Sequence, residues 1–445
     1  MGMCIKFGEY NKYYIYIILS CIFNYLRYYL ILGIFNQDLI SLEIISEDTE
    51  NLYKHCFVHD IFNYMGIIIF SSILYKLKGE YIDSSKISFS LFHKKVIEEE
   101  KNKNISFLNL LFILSLWVII NHIITIIESL MIFDYWMFEL LFVCLMTSQI
   151  FKIKIYSHQK FAIIINSLCC LIFGIIRFII LANQNIYIPY TFPIKYKWFI
   201  PLSIIIYLLI INSTSYVFVK LKYYMNLKFI ALLKLLILYG VLGFIISSIC
   251  CIIETSNKCF GSEKKYFCHV YDKNEKEEIL YIENIFIFFQ NFSELNGKEI
   301  TIEIFIILIG MIFNFFSLYF DILIINYLTP MHYIFSTLIY LLLNELIKLI
   351  KNKIQEGSFF DNDINKYISI LHISAYFCSF IGFMIYLEII ELNFCKLNYN
   401  VRKYIKDRSL EEGYNDDYKD GIINDIENEN KESSMDYNIE LSIND

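Results

Sequence analysis

The chain has 445 residues, of which 57% are hydrophobic and 19% are charged, and its formal net charge at pH 7 is −7. Soluble domains contain about 25% charged residues, so this composition, with a mean hydropathy of +0.51, argues against a soluble protein and indicates an integral membrane protein. The charge gives no support for nucleic acid binding, because much of the acidity lies in the tail after Leu410.

Ten apolar segments follow one another along the chain, each about as long as the roughly 20 residues that a helix needs to cross a bilayer. A helix satisfies its backbone N–H and C=O groups internally, so these segments predict an all-α integral membrane protein with about ten transmembrane helices. No small-residue cleavage site follows the first segment, which is therefore predicted to be a transmembrane helix and not a signal peptide. Spans one to ten cover approximately residues 13–35, 57–75, 106–127, 131–151, 161–181, 198–219, 229–252, 302–324, 331–350 and 367–390.

The lysines and arginines between the spans predict the orientation, because basic loops stay on the cytoplasmic side of a membrane. Basic segments follow spans two, four, six and ten, whereas an acidic segment follows span one. Both termini are therefore predicted to be cytosolic. The basic segment LIKLIKNK after span nine is an exception to this pattern.

The longest loop, residues 253–301, falls on the lumenal or outer side in this orientation. There Cys259 and Cys268 can form a disulfide and the sequon at Asn291 can carry a glycan; two free thiols and an unused sequon are the alternatives. Within the loop, YIENIFIFFQ (residues 281–290) is too short to cross a bilayer and predicts an interfacial helix.

The C-terminal tail is acidic, rich in asparagine and nearly without periodic apolar residues, so it is predicted to be disordered. An inert solvated tail and a regulatory or trafficking segment are the two interpretations of it.

Two stretches of the chain are loosely self-similar: residues 138–178 align with residues 334–353 and, after an insertion, with residues 364–386. Each copy gives a helix, a basic turn, a second helix and then a glycine. Internal repeats of this kind are typical of transporters. The predicted parts of the chain are a first five-helix half (1–182), a second five-helix half with the lumenal loop (183–408), and the tail (409–445).

The stretch STSYVFVKLKYYMNLKFIALLKLLILYGVLGF (213–244), followed by INYLTPMHYIFSTLIYLLLNELI (325–347), resembles the second half of drug/metabolite transporter superfamily members with EamA-like repeats, including the nucleotide-sugar-transporter group. The resemblance implies ten spans in two inverted five-helix repeats with both termini cytosolic. It also implies a transport function.

Ionisable side chains inside the spans are candidate functional residues, because holding a charge near the bilayer centre costs at least about 2.5–3.5 kcal/mol. Arg27 lies past the middle of span one, with Asn24 one turn before it. Arg177 lies well inside span five, and Lys234 lies near the start of span seven. One hypothesis is that these three cations face a central cavity and bind an anionic solute, since arginine suits bidentate contact with phosphate or carboxylate. The alternatives are that each arginine pairs with an acid and only joins helices, or that it reaches the lipid headgroups.

The acids at comparable depth are Glu345 in span nine, Asp321 in span eight and Glu139 in span four. Glu345 joins the three cations as a substrate-binding candidate. His122, in the last two turns of span three, is a further candidate, because its ordinary pKa near 6.5 suits a proton relay. The alternative for His122 is a hydrogen-bonded core histidine.

The sequence contains no GxSxG, HExxH, Walker or Gly-rich dinucleotide motif and no Cys/His metal spacing. We therefore predict no enzymatic activity, no cofactor and no metal site.

Together these features predict a transporter that moves a small polar solute by alternating access, with an anion such as a nucleotide sugar or a phosphorylated metabolite favoured. The alternatives are a non-transporting scaffold or receptor and an intramembrane enzyme without a recognisable motif. The expected partners are the solute and the lipid bilayer. Homo-oligomerisation stays open, as does the choice between Golgi, endoplasmic reticulum and plasma membrane.

Overall fold

The computed structural model describes residues 11–31, 52, 54–78, 107–127, 136–151, 155–183, 199–227, 230–259, 270–272, 279–356, 363–386 and 390. This part of the chain is almost entirely helical. The predicted disordered tail and Cys268 lie outside the described residues.

Each predicted span coincides with one helix. The helices before the long loop are α1 (Asn11–Ile31), α2 (Cys56–Lys78), α3 (Phe107–Ile127), α4 (Trp136–Phe151), α5 (Ser157–Asn183), α6 (Phe199–Leu227) and α7 (Leu232–Ser256). The loop contributes β1 (Lys258–Cys259), β2 (Val270–Asp272), β3 (Ile279–Tyr281) and the short helix α8 (Ile285–Glu294). The chain continues with α9 (Gly297–Tyr327), α10 (Pro330–Glu356) and α11 (Asp363–Tyr386).

Eight of these helices are long and apolar enough to cross a membrane, namely α2, α3, α5, α6, α7, α9, α10 and α11. The outward faces of the bundle are also apolar, with large exposed side chains such as Phe112, Leu209, Ile252 and Phe305. Contiguous apolar surface of this kind marks contact with lipid or with partners. By length and composition, the protein is a multi-pass integral membrane protein, as the sequence predicts.

The buried side chains form two large cores. One joins α1, α4, α5, α6, α9, α10 and α11, and the other joins α2, α3, α6, α7 and α9. The most extensive helix–helix contacts in the described part are α1–α9, α2–α7, α5–α11, α2–α9, α4–α6, α3–α7, α10–α11, α1–α10, α3–α6, α4–α10 and α4–α5.

The long loop forms a small structure at one end of the bundle, which we call the capped end. Its three strands make an antiparallel sheet with β3 in the middle, where Lys258 and Val270 both face Tyr281 across the ladder. A helix is present in the segment for which an interfacial helix is predicted, but it begins only at Ile285, because Tyr281 belongs to strand β3. The N-cap Asn284 accepts hydrogen bonds from the first turn of α8.

Helix α6 is longer than the sequence predicts. Span six was expected to end at Val219 and to be followed by a basic turn, but α6 continues to Leu227. Lys222 is therefore inside the helix, only 2% exposed, and its Nζ donates to the backbone oxygen of Asn326 near the end of α9. The lysine can stay buried because that carbonyl accepts a hydrogen bond from it. The carbonyl is one of those left without a partner inside the helix at a helix C-terminus.

The start of α9 carries a complete capping box. Asn296 accepts from the backbone N–H of Lys298 at 3.1 Å and of Glu299 at 3.0 Å, and Glu299 Oε2 accepts from the Asn296 N–H at 3.1 Å. Replacing Asn296 with alanine is expected to lower the free energy of unfolding by about 1 kcal/mol. Equilibrium unfolding in mixed micelles measures the change, with Ser256→Ala at an exposed helix end as the control. Equal stability of the two variants would contradict the role of the cap.

Candidate functional site

The depth of Arg27 in the bundle follows from the contacts of α1 with α9. Ser20 Oγ donates to Asp321 Oδ1 at 2.5 Å, and one turn later Ser317 Oγ donates to Asn24 Oδ1 at 2.7 Å. Later residues of α1 therefore meet earlier residues of α9, so the two helices are antiparallel. Arg27, about one turn after Asn24, is level with the part of α9 just before Ser317.

That same part of α9 packs against the middle of α2. The rings of Phe70 and Phe315 lie 5.7 Å apart, and a Cβ placed on Gly66 would lie 2.8 Å from the Cβ of Met311. Gly66 and Phe70 flank the midpoint of α2, so Arg27 is level with the middle of a membrane-spanning helix.

A buried polar cluster surrounds Asp321, which is 9% exposed. Besides the bond from Ser20, its carboxylate accepts from Asn24 Nδ2 at 3.2 Å on Oδ1 and at 3.4 Å on Oδ2. Ser20 Oγ also lies 3.0 Å from Ser336 Oγ. The cluster thus joins α1, α9 and α10 through side chains that hold the carboxylate in place.

Arg27 interacts electrostatically with two carboxylates, Asp60 on α2 and Asp321 on α9. Asp60 lies in the second turn of α2, on the side of the capped end. Asp321 lies on α9, about two helical turns from the level of Arg27 in the direction of the opposite end of the bundle. The two acids therefore lie on different helices, and their levels along the bundle are on opposite sides of the level of Arg27. We call Arg27, Asp60 and Asp321 the central charge cluster.

Aromatic and amide side chains border this cluster on the side of α3 and α7. Asn121 Nδ2 donates to Tyr239 Oη at 3.0 Å, and the ring of Tyr239 lies 4.3 Å from Trp117 and 5.6 Å from Tyr64. Arg27 interacts electrostatically with both tyrosines. The surroundings of the guanidinium thus combine polar groups with flat apolar surfaces.

The capped end of the bundle contains a histidine–carboxylate pair between α3 and α7. His122 Nε2 lies 3.0 Å from Glu254 Oε1, and the imidazole ring lies 4.2 Å from the ring of Phe57. The side chains of His122 and Glu254 are 9% and 12% exposed. Among the described residues, neither His122 Nδ1 nor Glu254 Oε2 has a hydrogen-bond partner. The pair therefore keeps one unfilled polar position on each side chain.

A second pair at the capped end is fully enclosed. His55 Nδ1 lies 2.6 Å from Glu283 Oε1, and the two side chains are 1% and 0% exposed. Glu283 Oε2 accepts from the backbone N–H of Phe57 at 3.0 Å and of Val58 at 3.4 Å. A carboxylate from the long loop thus caps the N-terminus of α2, where a negative charge is favourable.

Lys234 and Glu345 contact residues outside the central charge cluster. Lys234 is exposed at the start of α7, with its Nζ 5.6 Å from the ring centroid of Tyr75. Glu345 on α10 lies 3.9 Å from His372 on α11. Arg177 belongs to α5, but its side chain lies outside the described residues.

The modification sites in the long loop stay predictions. Cys259 ends strand β1, whereas Cys268 lies outside the described residues, so a disulfide between them stays a prediction. Asn291 belongs to α8 and is partly exposed, and its glycan is likewise untested.

Sequence reasoning missed Asp60 and Lys222. Asp60 lies near the beginning of span two. A carboxylate in such a position normally reaches water, so nothing in the sequence marked it as a functional residue. For Lys222, the helical pattern continues after Val219, but the neighbouring lysines made this segment resemble a basic turn. For both residues the informative fact is their partner, which only the packing of the helices supplies.

The sequence matches no protein-family model and no curated protein. The geometry of the site therefore carries the functional argument alone.

Proposed function

We propose that the protein is a membrane transporter that moves a small polar organic solute by alternating access. The favoured class is an anion such as a nucleotide sugar or a phosphorylated metabolite. The observation that carries the proposal is Arg27, level with the middle of the bundle and between carboxylates on two different helices. An intramembrane ionisable residue is a candidate for a solute pathway, because its insertion is unfavourable.

The chemistry of the central charge cluster favours an anionic solute. A guanidinium binds carboxylate or phosphate with two parallel charge-assisted hydrogen bonds. Asp60 and Asp321 attract Arg27 electrostatically, which lowers the unfavourable energy of a lone charge. An incoming anion would compete with both carboxylates for the guanidinium, so that solute binding changes the attraction between the helices that carry them.

The helix contacts support two related halves. Two halves can be compared by exchanging α1, α2, α3, α4 and α5 with α6, α7, α9, α10 and α11, respectively. The exchange leaves three of the eleven most extensive contacts unchanged (α2–α7, α4–α10 and α5–α11) and turns each of the other eight into another member of the same set. For example, α1–α9 becomes α3–α6, and α2–α9 becomes α3–α7. This pairing is the pattern expected of two inverted five-helix repeats, the arrangement on which alternating access commonly depends.

Flux through reconstituted protein tests the proposal. Purified protein in liposomes is expected to exchange at least one of a panel of radiolabelled nucleotide sugars, sugar phosphates, sugars and amino acids. Arg27→Gln is expected to lower the initial rate for that solute about 10- to 100-fold, because a hydrogen bond to a charged group contributes about 1.5–3 kcal/mol. Arg27→Lys keeps the charge without the bidentate geometry and should be intermediate.

The matched control is Lys353→Gln, which removes an exposed cation at the end of α10. It should leave the rate unchanged. Full flux in Arg27→Gln, or no exchange of any solute by wild-type protein that elutes as a single species, would instead favour a scaffold or receptor.

A further inference from the structure

We propose that His122 and Glu254 form a proton-exchange site that couples solute movement to a proton gradient, with proton and solute moving in the same direction. The inference rests on the proposed transport function and adds its energy source. It is carried by the geometry of the pair at the capped end of the bundle.

The first step is the capacity of the pair to take a proton. When the imidazole is neutral and its Nε2–H donates to Glu254, its Nδ1 holds a free lone pair. Nδ1 is buried and has no hydrogen-bond partner within the described chain. A proton from water at the capped end can add there, and the charge of the pair changes from −1 to 0. An O–H bond of a hydronium ion breaks and the N–H bond forms at Nδ1, leaving a water molecule, and no electrons are transferred.

The second step is the stability of the charged imidazole. Its Nε2 faces the Glu254 carboxylate at 3.0 Å, so a charged imidazole forms a hydrogen-bonded ion pair with that carboxylate. The ring of Phe57 packs against the imidazole at 4.2 Å, tilted by 38°. The pair can therefore hold a proton inside the bundle without leaving an uncompensated charge.

The third step is communication with Arg27, which runs through Asp60. Asp60 interacts electrostatically with both His122 and Arg27. Asp60 lies three residues after Phe57 on α2, and the Phe57 ring contacts the imidazole. A positive charge on His122 therefore weakens the attraction between Asp60 and Arg27 and favours an anion at the guanidinium. Proton binding and anion binding then favour each other, which is the condition for symport.

Neighbouring titratable groups have other hydrogen-bond partners, so the His122–Glu254 pair is the better candidate for proton exchange. His55 and Glu283 are hydrogen-bonded to each other, and Glu283 also accepts from the backbone at the start of α2. Both side chains therefore serve to hold this end of α2. His59 contacts the backbone oxygen of Leu52. The groups that interact electrostatically with the proposed site or with its immediate partners are Asp60, His55, His59, Glu283, Cys250, Cys251 and Arg27.

Two flux measurements on proteoliposomes test the inference. Counterflow at equal pH on both sides measures exchange without a driving force, and uptake with an acidic outside measures coupling. For one proton per solute, a gradient of one pH unit is expected to give about tenfold accumulation in wild type, since one unit is worth 1.36 kcal/mol. A pH dye trapped inside should report proton entry with the solute.

Replacing His122 or Glu254 with glutamine keeps a hydrogen-bonding group but removes its titration. With saturating solute, which offsets weaker anion binding, both variants are expected to retain counterflow within about twofold of wild type while accumulation and proton entry disappear. His332→Gln is the control, because this histidine binds Thr329 at the opposite end of the bundle. It should accumulate solute as wild type does.

The outcomes separate the two proposals. Wild-type counterflow without any response to the pH gradient, or full accumulation in both glutamine variants, would overturn proton coupling and leave transport intact. Absence of counterflow in wild type would overturn the transport function itself, and the coupling with it. A purely structural pair would lower counterflow and accumulation together, which also contradicts the inference.

Discussion

Replacing Gly243 with alanine is expected to destabilise the bundle by about 1–2 kcal/mol. The new Cβ would lie 2.2 Å from Cδ1 and Cε1 of Tyr64, far inside contact distance. The ring cannot move away easily, because Tyr64 is buried and packs against Tyr239, which in turn packs against Trp117. Overpacking of this kind typically costs about 1–3 kcal/mol, and at this distance it exceeds the roughly 1 kcal/mol that alanine gains in helix propensity.

Gly310→Ala is the matched control, since a Cβ at that position meets nothing within 4 Å. Both changes add the same methyl group to a helix, so the difference between their unfolding free energies in mixed micelles isolates the clash. Gly310→Ala should be neutral or stabilising by up to about 1 kcal/mol. Reducing Tyr64 to leucine in the Gly243→Ala protein should recover part of the loss. Equal stability of the two alanine variants would show that α2 and α7 separate freely.

Replacing Glu283 with alanine is expected to have the largest effect, a loss of about 3–5 kcal/mol. The carboxylate is the hydrogen-bond partner of His55 and accepts from the backbone N–H groups of Phe57, Val58 and Asn284. Its removal leaves several buried donors without an acceptor and breaks the link between the long loop and the start of α2. Thermal unfolding in detergent, followed by the fraction that remains monodisperse, measures the loss.

Glu294→Ala, which removes an exposed glutamate that accepts from Gln290, is the control and should change stability by less than about 0.5 kcal/mol. The double variant His55→Ala, Glu283→Ala should lose less than the sum of the single changes, because the two side chains are partners. A Glu283→Ala protein as stable as Glu294→Ala would mean that the loop does not hold α2.

Much of the architecture was predictable from local sequence. Each of the ten predicted spans has its helix, because the length and hydropathy of an apolar run are properties of the run itself. The prediction was wrong at the end of α6. There a run of lysines suggested a solvated turn. Lys222 is nevertheless buried, because a backbone carbonyl at the end of α9 accepts a hydrogen bond from it.

The candidate site was predictable only in part. The sequence identified Arg27 with Asn24 one turn away, and it identified His122 and Asp321 as buried ionisable groups. It did not identify their partners, because Ser20 and Asp321 are 301 residues apart and His122 and Glu254 are 132 residues apart. Pairing over such separations depends on which helix faces meet, which no local pattern contains.

The sequence by itself determined that this is a membrane protein, where its helices lie and which few side chains are charged within them. It did so because lipid tolerates only segments that are apolar and internally hydrogen-bonded. Only the tertiary structure decided that Arg27 lies between Asp60 and Asp321, that Glu283 caps α2 and that His122 faces Glu254. The physical reason is that a buried charge is stabilised by its partner, and the fold alone brings distant partners within a few ångströms of each other.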